Sequence, residues 1–253
     1  MTREGVRPTF TEPLLGIVFD LDGTLVLSDH DFAKMRREVI RVAERYGIAP
    51  GRLKPADMIP HLMEQARQDL EEAQAPEGQI YRMETEVNRT IDAMELEALP
   101  QTVVRPGAGP LLRAFADRGY RLGILTRSSE HFCRSALVQT KLAEFFPYLR
   151  TRSSAGPAKP SPEALHMLLR EMEVPAERAA FVGDHIIDAQ CAVRAGVRFY
   201  AVLPEVRHAT EPGAGTAPSL AQQFQDAGAT EVVADLPELG RRLGISAVAS
   251  AAH

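Results

Sequence analysis

The chain has 253 residues, 45% hydrophobic and 25% charged, which is enough for one large domain or for a core with a smaller companion. Its net charge of −5, its 6% aromatics and its lack of tryptophan provide neither the basic stripe nor the stacking platform that nucleic acid binding uses. The same mild acidity sets no barrier to an anionic ligand, because a metal ion or a local cluster of cations can invert the field at a site.

Met1 to Pro13 is polar and lacks the apolar run of a signal peptide. No later stretch approaches the ~20 apolar residues that span a bilayer. The first apolar run, Leu14 to Phe19, stops at Asp20, as a strand buried on both faces of a parallel sheet would. From Ser28 to Leu99 the character changes. The stretch is charged, and Phe32, Met35, Val39, Val42 and Tyr46 fall at helical spacing. Further helices are expected within Met58 to Ala73 and Ile80 to Ala98. The expected division is a core of residues 1–27 and 100–253, with a helical domain of residues 28–99 inserted between.

Beyond the insert, strands are expected at Tyr120 to Leu125, Ala179 to Val182 and Phe199 to Leu203. Helices are expected at Leu111 to Arg118 and Pro162 to Met172, the latter begun by a capping Ser161 and the helix-starting Pro162. Pro204 to Ser219, with three prolines and two glycines, reads as an exposed loop, and Ala247 to Ala252 as a frayed tail. Alternating strands and helices give an α/β, Rossmann-like fold: a parallel sheet flanked by helices. The two cysteines, Cys133 and Cys191, make no disulfide framework and suit a reducing compartment. A soluble, cytoplasmic protein is the expectation, and nothing in the sequence reads on oligomeric state.

Four polar clusters carry chemistry. Asp20-Leu21-Asp22-Gly23-Thr24 follows the first strand, and alternation puts Asp20 and Asp22 on one side of an extended chain, in the crevice at the strand's carboxyl end. Two acids so close repel unless a divalent cation joins them. One can then attack phosphorus while the other handles the proton; the bland alternative is a turn with two solvated acids. Thr126 ends the second core strand and could donate to a phosphoryl oxygen with the amides of Arg127 and Ser128, or cap a helix at Ser129-Glu130. Lys159 lies in a loop stiffened by Pro157 and Pro160, as a site cation or a surface lysine. Gly183-Asp184-His185-Ile186-Ile187-Asp188 follows another short strand. Its acids, four apart at a helix start, would share a face, either as oxygen ligands suited to Mg²⁺ or as complements to the helix dipole.

In this order (acid pair, hydroxyl, lysine, acid pair) the sequence resembles the haloacid dehalogenase (HAD) superfamily. Its four motifs match Asp20 to Thr24, Thr126, Lys159, and Asp184 with Asp188. The likeness covers about residues 14–27 and 100–203, with Leu236 to Leu243 expected to complete the core. The insert is similar to the family's C1-type helical cap. Leu125-Thr126-Arg127 and Lys159-Pro160-Ser161-Pro162-Glu163 resemble phosphoglycolate phosphatases in particular.

The resemblance implies a phosphatase in which Asp20 attacks phosphorus to form an aspartyl-phosphate, while Asp22 protonates the leaving oxygen and later activates water. It further implies Mg²⁺ held by Asp20, Asp22 through its carbonyl, and Asp184, with Asp188 a ligand or a support. Thr126, Arg127 and Lys159 would bind the phosphoryl group of a small phosphorylated metabolite, a phosphoglycolate-like acid or a sugar phosphate. Asp22 argues against the dehalogenase and phosphonatase branches, which do without a second acid there. A phosphomutase like β-phosphoglucomutase shares all four motifs, and a non-catalytic interaction protein would be expected to lose an acid. His185 departs from the family's common serine and is assigned no role. On the insert, Lys34, Arg36, Arg37 and Arg82 are possible anion contacts.

Overall fold

The run that stops at Asp20 becomes the middle of the sheet. In the computed structural model, which describes residues 12–204 and 219–245, β1 (Gly16–Phe19) has all four residues buried. There follow β2 (Val26–Leu27), α1 (Phe32–Arg45), α2 (Ile59–Glu72), α3 (Gln79–Ala98), β3 (Val103–Val104), α4 (Ala108–Asp117), β4 (Arg121–Leu125), α5 (Glu130–Gln139) and β5 (Tyr148–Arg150). The chain continues as α6 (Pro162–Glu171), β6 (Ala179–Gly183), α7 (Ile186–Arg194), β7 (Arg198–Val202), α8 (Leu220–Asp226), β8 (Glu231–Val233) and α9 (Leu236–Arg242).

Six strands form one sheet in the order β5-β4-β1-β6-β7-β8. All its pairings are parallel, so both faces need cover, and the inner strands β1 and β6 are buried along their whole length. Alternation within β1 shows how that cover is arranged. Val18 joins a cluster with Leu165 and Leu168 of α6, Phe181 of β6, Phe199 of β7 and Phe224 of α8. Phe19 points the other way, its ring 6.2 Å from that of Phe115 in α4 and 6.1 Å from that of Phe146. Parallel strands bring the carboxyl ends of β1, β4 and β6 side by side. Asp20, Thr126 and Asp184 follow those ends directly.

The chain divides into two compact units. One comprises the residues up to Ser28 and from Thr102 onward, the other Asp29–Gln101. In the first unit β2 and β3 form a short antiparallel ribbon, and Thr102 Oγ1 donates to Ser28 Oγ at 3.1 Å where the chain leaves and returns. The second unit is three helices around Val39, Ile40, Val42, Leu62, Ala66, Leu70, Met83, Val87 and Ile91. Within it Asp31 caps α1 by accepting from the Lys34 N–H, and Arg52 grips Asp69 through two hydrogen bonds of 2.7 and 2.8 Å.

Several sequence expectations need correction. Phe32, counted on the buried face of α1, is 52% exposed because it starts the helix, and its ring meets His30 instead. Ser161 precedes α6 as expected, but its hydroxyl makes no capping bond. Asp184 and Asp188 do not share a helical face: α7 begins at Ile186 with His185 as its cap, so Asp184 lies outside the helix. Strands β5 and β8, three residues each and only partly buried, carry too little apolar signal to stand out in the sequence. The expected loop and tail lie almost wholly outside the described residues.

Candidate active site

Asp20 remains tied to the sheet, its N–H donating to Val182 O at 2.9 Å. Beyond it the chain turns sharply: Gly23 N–H donates to Val26 O and Leu25 N–H to Leu21 O, both at 2.8 Å. Gly23 has φ +82°, a left-handed conformation costly to any residue with a Cβ. A Cβ there would also collide with the Asp184 carboxylate. The turn therefore needs glycine twice over. It delivers Thr24, whose hydroxyl donates to Asp184 Oδ1 at 2.7 Å, and Asp22, whose Oδ1 accepts from the Ser28 N–H at 3.1 Å.

Thr126 follows β4, and its N–H donates to Arg150 O at 2.9 Å. Its buried hydroxyl does not cap α5. Ser129 does that by accepting from the Phe132 N–H, while Thr126 Oγ1 accepts from the Ser128 N–H at 3.1 Å. Arg127 donates from its guanidinium to the Lys159 carbonyl. Burial, then the neighbouring Arg152, lowers its pKa.

Lys159 is the buried cation of the site. Its Nζ lies 2.7 Å from Asp188 Oδ1 and 2.8 Å from Asp20 Oδ1, and 5.5 Å from the centre of the Phe181 ring. Burial by itself would discharge the ammonium, but Asp188 and Asp20 outweigh it and raise the pKa. Asp20 Oδ1 is buried, and the positive charge that faces it is the Lys159 ammonium at 2.8 Å. Asp188 is engaged on both sides: Oδ1 faces Lys159, and Oδ2 accepts from the His185 N–H at 3.2 Å. His185 closes the cap by accepting from the Ile187 N–H at Nδ1. Burial lowers its pKa, with Lys159 and Arg127 adding to the effect; an accepting Nδ1 suits the neutral ring.

The geometry concentrates negative charge. Oxygens of Asp20, Asp184 and Asp188 lie within 4.8 Å of one another. Burial, followed by the charges of Asp20 and Asp188, pushes Asp184 up to about 8. Burial pushes Asp188 up to about 7 against the pull of Lys159. Gly183 allows this crowding, since a Cβ there would come 2.5 Å from Asp188 Oδ2. Carboxylates held this close, and offering oxygen alone, fit a hard divalent cation.

Of the residues singled out in the sequence, the fold brings Asp20, Lys159, Asp184 and Asp188 into one cluster, with Asp22 and Thr126 at the ends of the same strands. Thr24, Ser28 and Arg152 were not assigned a part. Thr24 stands inside the first motif and could have been noticed, whereas Ser28 and Arg152 act through contacts that no local pattern announces. On the inserted unit, Lys34 pairs with Glu97 at 3.3 Å and Arg36 donates to Pro55 O at 2.8 Å, while Arg37 and Arg82 are exposed.

A family model described as haloacid dehalogenase-like hydrolase matches residues 14–196. The chain belongs to that family. A phosphoglycolate phosphatase of Pseudomonas fluorescens is 30% identical over 208 residues, spanning 81% of this chain and 74% of the relative. Among solved structures, a hydrolase from Pseudomonas syringae superposes with a TM-score of 0.61 at 21% identity, covering 91% of this chain and 98% of its own. A β-phosphoglucomutase assignment from Thermotoga maritima superposes at 0.54 with 20% identity, covering 91% and 99%. At such identities these structures speak for the fold. The family and its curated relatives make the chain a phosphoric monoester hydrolase, and no helix among the described residues is long and apolar enough to cross a membrane.

Proposed function

We propose that this HAD hydrolase is a Mg²⁺-dependent phosphatase of small phosphorylated acids, with 2-phosphoglycolate the first substrate to try. The reading rests above all on the convergence of Asp20, Asp184 and Asp188 within 4.8 Å around the buried Lys159. The substrate class rests on the curated relative at 30% identity, whose name states phosphoglycolate.

Asp20, freed from repulsion by neighbouring positive charge, attacks phosphorus through a carboxylate oxygen. The bond from phosphorus to the ester oxygen breaks, and Asp22 gives its proton to that leaving oxygen. Asp22 then takes a proton from water as the water oxygen attacks the aspartyl-phosphate. The bond between phosphorus and the Asp20 oxygen breaks, releasing phosphate and restoring both acids. Lys159 and Thr126 balance the charge spreading over the phosphoryl oxygens. Asp20, Asp184 and the Asp22 carbonyl would hold the Mg²⁺, which would supply positive charge against the anionic phosphoryl group. With both its oxygens engaged by Lys159 and His185, Asp188 serves better as the support of Lys159 than as a direct ligand. The inserted helical unit acts as a cap that selects substrate and sheds bulk water.

Phosphate release from a panel of phosphomonoesters, with Mg²⁺ and with EDTA, tests the reading. Continuous magnesium-dependent release from a small phosphorylated acid supports it. A single burst followed by sugar-phosphate isomerisation would identify a mutase instead, and a panel with neither turnover nor trapped acyl-phosphate would sink the catalytic assignment.

A further inference from the structure

We propose that Arg127 is a positioning residue: it fixes the backbone of Lys159, so that the ammonium reaches Asp20 and Asp188, and does not itself bind the phosphoryl group. This rests on the phosphatase reading for its consequence in turnover, but not for its geometry. The loop between β5 and α6 must deliver one buried lysine, yet its residues Ala155, Gly156, Pro157 and Ala158 are exposed and small or ring-bound. Little apolar surface is available to hold it in place. Polar ties do so instead.

Beyond the paired strands β4 and β5 the two chains remain laced together, with Thr126 N–H donating to Arg150 O at 2.9 Å and Arg152 N–H to Ser128 O at 3.0 Å. Arg150 then reaches forward to the Ala155 carbonyl and pairs with Glu171 at 2.8 Å. Arg152 Nη1 donates to Arg127 O at 2.8 Å, and Arg127 Nη1 donates to the carbonyl of Lys159 itself. A guanidinium suits this role because it is long, planar and weakly hydrated, so it can satisfy a carbonyl in a partly buried place. Burial and the neighbouring Arg152 lower its pKa, and the negative charges of Asp188 and Asp20 oppose them. The result is a continuous set of contacts from Arg152 through Arg127 to the Lys159 backbone. At the end of it Lys159 Nζ makes contacts of 2.7 and 2.8 Å, which a slip of its backbone by about 1 Å would break, at a cost of about 100-fold in rate.

Two readouts on the full chain separate positioning from anion binding. The first is acetylation of Lys159 by sulfo-N-hydroxysuccinimide acetate without Mg²⁺, measured by peptide mass spectrometry against the exposed Lys141 as internal control. The second is kcat/KM for the best phosphomonoester in wild type, Arg127→Met, Lys159→Met and the double variant. The expected result is a several-fold rise in Lys159 labelling in Arg127→Met, with Lys141 unchanged. A loss of kcat/KM of about 100-fold should accompany it in that variant and disappear in the Lys159→Met background. Arg152→Met, which loosens Arg127 through its carbonyl, should raise the same labelling to a smaller degree and decides the matter if Arg127→Met does not fold. Unchanged Lys159 labelling in the folded variants, or an equal fractional loss of kcat/KM with and without Lys159, would overturn the proposal. Because labelling needs no turnover, it tests the positioning role even if every phosphomonoester fails and the phosphatase reading falls.

Discussion

Lys159 Nζ stands 2.7 Å from Asp188 Oδ1, with the two side chains 2% and 1% exposed. Neither charge could be kept in so dry a place alone. Removing one member leaves the other uncompensated, which typically costs about 3–5 kcal/mol. Lys159→Met should lose about that much stability in urea unfolding with EDTA present. Adding Asp188→Asn should restore part of it. A double variant as unstable as the sum of the single variants would show that the pair is not coupled.

Asp20 carries the proposed nucleophilic oxygen. Asp20→Asn should keep the fold, since its N–H still donates to Val182 O, while steady phosphate release falls by at least about 10⁴-fold. Circular dichroism and a turnover assay decide this together. Turnover at wild-type rate would place the nucleophile elsewhere.

The raised carboxyls give a pH signature. Asp184, pushed up to about 8, and Asp188, up to about 7, bind protons in the folded protein that the unfolded chain has already released near pH 4. Their contribution to stability is therefore intact below about pH 4 and lost as pH rises toward 8. A cation held by Asp184 needs that acid ionised, so its stabilisation should grow across the same range. The gap between melting temperatures with Mg²⁺ and with EDTA should widen from pH 5.5 to 8.5. A gap independent of pH would mean that the ion sits elsewhere.

Gly23 should tolerate no side chain. Gly23→Ala places a Cβ in a left-handed conformation, worth about 1–2 kcal/mol against the fold, and drives it into the Asp184 carboxylate. Both stability in urea and the Mg²⁺-dependent shift in melting temperature should fall. Normal Mg²⁺ stabilisation in that variant would show that Asp184 can move aside without consequence.

The central strands and the inserted helices are legible from the chain alone, because buried parallel strands are continuous apolar runs and amphipathic helices repeat every three or four residues. Leu14 to Phe19 and Met35, Val39 and Val42 are legible in that way. The chain alone also marks Asp20, Asp22, Thr126 and Asp184, which follow strand ends where polar residues interrupt an apolar run, and Lys159, which lies in a loop stiffened by Pro157 and Pro160. How these residues meet one another depends on the folded sheet. The partners of Lys159 come from β1 and α7, far apart in the chain, and no local pattern encodes their 2.7 and 2.8 Å approach. Asp184 departs from the helical face expected for it with Asp188, because His185 takes the cap and leaves Asp184 outside. Arg127 faces the Lys159 carbonyl for the same reason: strands β4 and β5 pair in parallel, and pairing between distant segments is set by packing of the whole sheet, not by neighbours in sequence.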